Sequence, residues 1–324
     1  MEKDILLLYN PKAGDTFFRF ELERFLDVFG KRNCTVRVFQ SQSEGDMTEC
    51  LKNTRLEELS MIIVAGGDGT CNEVLQAMMS RHIQIPIGII PAGTRNNLAK
   101  FLEMPEDYGQ CIEVLSRMRT NTINVGEVNG HYFIDRCGYG SLASINHTTK
   151  QDVKNIFGKT AYYANGIRQI PRSEPFHLRL ETEDQTMEDD FILFLVINSN
   201  GAPYSGEAFG VEQNKGTSGD SQLEFIGIRN TKRLTNSRLL LRSIGRIPAE
   251  SKAVVRLKAD KLRITVSQSE FARKELPDNM VCVIDGEPGP TAPFSFELHR
   301  NALTMLTNQE CSTWNIPLER NEEH

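Results

Sequence analysis

A single acid, Asp68, stands inside the run Gly66-Gly67-Asp68-Gly69-Thr70. The apolar segment Met61 to Ala65 precedes it directly and a helical pattern follows. Glycine lets a backbone approach a ligand closely and take positive φ angles. Free amides at the following helix start then attract anions. Two more loops rich in glycine or small polar residues follow apolar runs: "NPKAG" (10–14) and "PAGTRNN" (91–97), on either side of "GGDGTCNE" (66–73). Ligands of open parallel sheets bind at the carboxyl ends of strands. The three loops together therefore point to one phosphate-binding crevice, with a tight βα turn as the alternative for any one of them. An acid among phosphates is repelled unless a divalent cation lies between, and Mg²⁺ bridges carboxylate to phosphate oxygen. A Mg–nucleotide site follows as the expectation. The pattern GxxxxGK[ST] is absent, which excludes a P-loop NTPase. GxGxxG fails at Asn72, and the second strand ends in Gln40-Ser41 without an acid for a ribose diol, which argues against dinucleotide oxidoreduction.

A second acidic constellation is "VCVIDGEPGP". Asp285 and Glu287 are two residues apart, so their carboxylates share a face if the chain stays extended. The alternative is a hairpin corner, for which Asp-Gly is a common pair.

These residues need elements to position them. In the first third, strand patterns (Ile5 to Tyr9, "CTVRVFQ", "LSMIIVA", "IPIGIIP") alternate with helical ones (Thr16 to Gly30, residues 45–58, "CNEVLQAMMS", and a helix opening at "NNLAKFL"). That order predicts a parallel sheet with helices on both faces. After about Asn121 the rhythm changes. "TINVGEVNGHYFIDRCGYG" reads as two strands around Asn129-Gly130, and "FHLRLETED", "DDFILFLVINSN", "SQLEFIGIR", "AVVRLKAD", "LRITVS", "MVCVIDGE" and "FSFELH" as further strands. The stretch 141–170 is the helical exception. An antiparallel sandwich or barrel is expected there, with a domain boundary near 120.

The chain has 324 residues, enough for two domains. A net charge of −6 gives no overall bias toward nucleic acid. Seven cysteines, an odd number without a CxxC pair, indicate neither a disulfide framework nor a zinc site. No signal peptide and no membrane-length apolar run stand out, so a cytoplasmic protein with at most peripheral membrane contact is expected.

The motifs "NPKAG", "GGDGTCNEV" and "IPAGTRNNLAK", with "GKTAYYANGIRQI" and the late "IDGE", resemble those of the diacylglycerol kinase catalytic-domain superfamily, in the form found in bacterial soluble lipid kinases. GGDGT alone is shared with NAD kinases and phosphofructokinases. The resemblance implies a Rossmann-like α/β nucleotide domain of the NAD kinase/diacylglycerol kinase type (1–120). A larger β-sandwich lipid-binding domain (121–306) would follow, with a tail (about 307–324) returning to the first.

It also implies an ATP- and Mg²⁺-dependent lipid kinase acting on a hydroxyl of diacylglycerol or a related lipid. An NAD kinase-like enzyme and a non-catalytic nucleotide- or lipid-binding regulator are the alternatives. ATP contacts carried over are Ser41, the loop Gly66, Gly67, Asp68, Gly69, Thr70, Cys71 and Asn72, and Thr94; Asn10, Lys12 and Gly14 would line the phosphate side. Glu73 and Gly93 belong to the same loops and count with this set. Asp285 would be the general base, and Glu287 and Asp68 would hold Mg²⁺. A structural Mg²⁺ would lie at Asp220, Thr217 and Gln222, although Ser221 replaces the glycine usual after that aspartate. Asn97 replaces the aspartate of GTxND, near the acceptor end of the site, which puts the identity of the lipid in doubt. The basic, aromatic stretch Lys150 to Arg172 fits a membrane-surface helix, or an amphipathic helix packed on the sandwich. Expected partners are thus a lipid substrate and a membrane surface, with a homodimer as an option and no nucleic acid.

Overall fold

The computed structural model describes residues 3–14, 18–140, 174–198, 221–230, 252–272, 274–277 and 280–308. The stretch 141–170 expected to be helical, the basic segment up to Arg172, Thr217, Asp220 and the tail from 309 lie outside the described residues. The chain divides into two compact units, Met1–Ile123 with Asn301–His324, and Asn124–Arg300.

The first unit alternates as its pattern predicts. In chain order it has β1 (Lys3–Tyr9), α1 (Phe18–Gly30), β2 (Cys34–Gln40), α2 (Asp46–Asn53), β3 (Met61–Gly66), α3 (Asp68–Ser80), β4 (Ile87–Pro91), α4 (Asn97–Phe101) and α5 (Tyr108–Ser116). The strands run parallel in the order β4-β3-β1-β2. β3 and β4 are buried along their whole length, as central parallel strands covered on both faces must be. β2 is exposed at Thr35, Arg37, Val38 and Gln40 because it is the edge. α1 buries Phe18, Phe25, Val28 and Phe29, while Leu26 falls off that stripe and is exposed.

Three boundaries differ from the sequence reading. The helix expected over 45–58 ends at Asn53, where Thr54 turns extended and its hydroxyl bonds the Cys50 carbonyl at 2.7 Å; a 3-10 turn, Leu56–Glu58, follows. α3 starts at Asp68, so the glycine loop is largely the first turn of the helix. α5 carried no strong periodic signal and is started by Asp107, whose side chain accepts the Gln110 N–H at 2.8 Å.

The second unit is built of antiparallel pairs among β6 (His131–Phe133), β7 (Arg136–Gly140), β8 (Phe176–Glu181), β9 (Thr186–Asn198), β10 (Leu223–Arg229), β11 (Val254–Ala259), β12 (Lys261–Gln268), β13 (Val281–Ile284) and β14 (Glu287–Thr291). β5 (Thr120–Val128) opens it and β15 (Phe294–Leu306) closes it. β9 pairs with β8 through its first half, and through its second half lies between β7 and β10. Inward faces share one core, in which Phe176, Phe191, Phe194, Phe225, Phe294 and Phe296 meet in ring contacts. The Asn129-Gly130 hairpin forms with both residues at positive φ, 49° and 81°. The segment after it holds two strands, β6 and β7, where the sequence suggested one. β15 runs past the expected "FSFELH" to Leu306; its residues from Asn301 on belong to the first unit, where Met305 pairs with Ile87 of β4. Thr307 and Asn308, also in the first unit, bond Leu102 and Arg119.

Candidate active site

The three glycine loops leave the carboxyl ends of β1, β3 and β4, which are neighbours in the sheet with β3 adjoining both others. Their backbones touch, and glycine is what permits it. A Cβ on Gly14, which sits at φ +51°, would collide with the Ala92 carbonyl oxygen. A Cβ on Gly67 would lie 3.2 Å from the Gly93 Cα, and one on Gly93 would strike the Gly67 Cα. Loop 91–97 is thus wedged against both others. Side chains add to the contact: Asn10 donates to the Thr70 hydroxyl at 3.0 Å, and the Lys12 N–H bonds the Asn10 side-chain oxygen at 2.9 Å.

Asp68 lies in the first turn of α3, and its carboxylate accepts the N–H groups of Asn97, at 2.7 Å, and Leu98. These are the first residues of α4, whose own preceding residue, Asn96, makes no side-chain cap. Burial pushes the Asp68 carboxyl above its ordinary range; the two amides, Arg95 and Lys100 oppose that shift. A cation is therefore not the only way to compensate this acid. The amides at the start of α4 already do so in part. A carboxylate has about four acceptor sites, so Asp68 keeps capacity for a hydrated cation.

Ser41 is buried at the end of β2, its N–H bonded to the Tyr9 carbonyl at 2.9 Å. Lys12 reaches across to the neighbouring Gln42 carbonyl at 2.9 Å. Asp46 shapes this turn by accepting the N–H groups of Gln42 (2.7 Å) and Ser43 (2.9 Å), which hold its carboxyl below the usual range. Gly69 and Thr94 are exposed at the loop surface, and Asn72 accepts from Gln76 at 3.0 Å. Glu73 behaves differently from the rest of the set: its carboxylate accepts the Thr48 N–H at 3.0 Å, in the first turn of α2. Its visible work is joining α3 to α2.

In the second unit the expected same-face pair is not extended. Asp285 (φ +48°) and Gly286 (φ +102°) form the two-residue turn of the β13–β14 hairpin, with Ile284 opposite Glu287. Glu287 begins the next strand and is exposed. The Asp285 carboxylate turns to the β6–β7 connection, where it accepts N–H groups of Ile134 (2.8 Å), Asp135 (3.0 Å) and Arg136 (2.8 Å). Burial pushes this carboxyl up to about 7; the Asp135 charge adds to the rise and the three amides oppose it. Gln222 lies half-buried just ahead of β10, while its proposed companions Thr217 and Asp220 are outside the described residues.

Two residues were missed. Asp135 was legible as an acid directly after an apolar run. Asn96 left only a weak signal, its tolerance of left-handed backbone. Among the described residues no three His, Cys, Asp or Glu side chains gather as a metal cage.

Comparison with known proteins places this architecture. Residues 4–128 match the diacylglycerol kinase catalytic domain. The chain is similar to the diacylglycerol kinase of Bacillus subtilis (strain 168), with 26% identity over 306 residues, 94% of this chain and 96% of that one. It is also similar to the diacylglycerol kinase of Staphylococcus carnosus (strain TM300), with 30% identity over 196 residues that span 60% of this chain and 64% of that one. A solved structure described as a presumptive diacylglycerol kinase from Bacillus anthracis str. Sterne shares the fold, with a TM-score of 0.74 at 23% identity over 94% of this chain and 95% of that one. Residues 4–128 thus carry the match to a diacylglycerol kinase catalytic domain, and the class that the comparisons support is a lipid kinase.

Proposed function

We propose that this enzyme uses ATP and Mg²⁺ to phosphorylate a hydroxyl of diacylglycerol or a closely related lipid. The observation that carries the reading is the mutual contact of three glycine loops at adjacent strand ends, with Asp68 starting the helix behind them. Backbone amides and the Lys12 ammonium there suit a triphosphate. Asn10, Gly14, Gly66, Gly67, Gly69, Thr70, Asn72, Gly93 and Thr94 are assigned to its phosphates, and Ser41 to the nucleoside side.

Asp285 is assigned as general base. Three of its roughly four acceptor sites are taken by amides, which fixes its position and leaves one site to receive a proton. A carboxyl raised to about 7 is well matched to proton transfer at neutral pH. As the acceptor oxygen bonds the γ-phosphorus, its proton passes to Asp285 and the bond to ADP breaks. Asp68 and Glu287 are the carboxylates available to Mg²⁺, and oxygen donors of this kind fit that ion. When bound, Mg²⁺ would neutralise phosphate charge during transfer. Among the described residues no helix is long and apolar enough to cross a membrane; access to lipid is assigned to peripheral contact through the basic stretch Lys150 to Arg172.

The test is a γ-labelled ATP assay on a total lipid extract, with products identified by mass and NAD run in parallel. Label in a lipid phosphomonoester, lost on chelation of Mg²⁺, is the expected result. Label in phosphorylated NAD, or tight nucleotide binding without any lipid product, would overturn it.

A further inference from the structure

Asn96 holds the third loop closed. Its side-chain oxygen accepts the Gly93 N–H at 2.8 Å, and its side-chain amide donates back to the Gly93 carbonyl at 2.8 Å. Both ends of one amide group thus grip one backbone residue. Asn96 makes this grip from left-handed backbone, at φ 53° and ψ 48°. It also turns the side chain away from α4, so the helix relies on Asp68 for its first amides. The Asn96 carbonyl still accepts the Lys100 N–H at 3.0 Å and so begins the helix. Asn96 thus links loop 91–97 to the start of α4, next to the Asn97 N–H that Asp68 of α3 accepts. The gripped residue, Gly93, is the one wedged against Gly67.

We propose that Asn96 is a positioning residue for nucleotide binding: its clasp sets the shape in which Gly93 and Thr94 meet the phosphates. The inference rests on the nucleotide reading of the loops. Asn96 touches backbone and acts through it.

Asn96→Gly separates clasp from conformation, since glycine accepts left-handed backbone without strain but makes neither bond. A matched control is Asn33→Gly. Asn33 is also left-handed, at φ 61°, in the turn between α1 and β2 and away from the loops. Affinity for Mg–ATP, KM for ATP and for lipid, and Tm are measured on the full chain. Without the clasp, Gly93 and Thr94 must be ordered when the nucleotide binds, which predicts about a tenfold weaker Mg–ATP affinity in Asn96→Gly. The lipid KM should hold, and Tm should fall modestly below that of the control through the two lost bonds. Unchanged nucleotide affinity in Asn96→Gly, beside a wild type that binds normally, overturns the clasp alone. Equal losses for ATP and lipid with a lowered Tm also overturn it, as a purely structural role. A wild type that does not bind Mg–ATP overturns the nucleotide reading and the clasp with it.

Discussion

The glycine loops of the first unit and the acid hairpin of the second hold their functional groups in opposite ways. In the loops, shape comes from backbones in contact: Gly14 against Ala92, and Gly67 against Gly93. The charge there, Asp68, is half-buried and shared with the start of α4. In the hairpin, one carboxylate is gripped by three consecutive amides, and burial makes it a weak acid. The first arrangement suits a site that must receive a polyanion, because it presents donors. The second suits a site that must hold a proton acceptor still. Small residues dominate one site and a single irreplaceable side chain the other, so the two should fail differently when altered.

The largest effect is expected at Asp285. Asp285→Ala should cut turnover about 10²–10⁴-fold. It also leaves three amides without their acceptor, at a cost of about 3 kcal/mol or more. Mg–ATP affinity should be nearly kept. Asp285→Asn, which retains an oxygen acceptor, should recover much of the stability and little of the turnover. Steady-state kinetics with denaturant titration decides this; recovery of both would reduce the acid to a structural clamp.

Gly93→Ala should be next. The added methyl meets backbone at Gly67 and the Asn96 side chain at 2.8 Å, and backbone cannot step aside as a flexible side chain can. A loss of about 1–3 kcal/mol in stability is expected, together with most of the nucleotide affinity, read by calorimetry. Wild-type binding would mean that the loops do not need their close approach.

The smallest effect is expected at Glu73. Glu73→Ala removes the acceptor for the Thr48 N–H. It should raise the KM for ATP only about threefold, equivalent to under 1 kcal/mol, through movement of α2 and the Ser41 turn. Glu73→Gln keeps an acceptor and should stay near wild type. Equal losses in both would restore Glu73 to direct contact with the nucleotide.

Much of this was legible in the chain. The run Met61 to Gly66, apolar throughout, reads as a buried strand, and the glycines after it as a loop for close approach or a tight βα turn. Asn129-Gly130 announced its hairpin because few residue pairs accept two positive φ angles. α5 was not legible: its first turn holds Tyr108 and Gly109, and its start depends on one carboxylate, Asp107, rather than on a long periodic pattern.

The sequence by itself determined the parallel and antiparallel halves, the three loops and the identity of the acids, because periodicity and glycine placement are local properties of the chain. Only the tertiary structure decided what each acid touches. Asp68 meets α4, Glu73 meets α2, and Asp285 meets residues 134–136, about 150 positions away in sequence. A carboxylate takes whichever amides folding brings to it, and nothing in its own segment records which those will be.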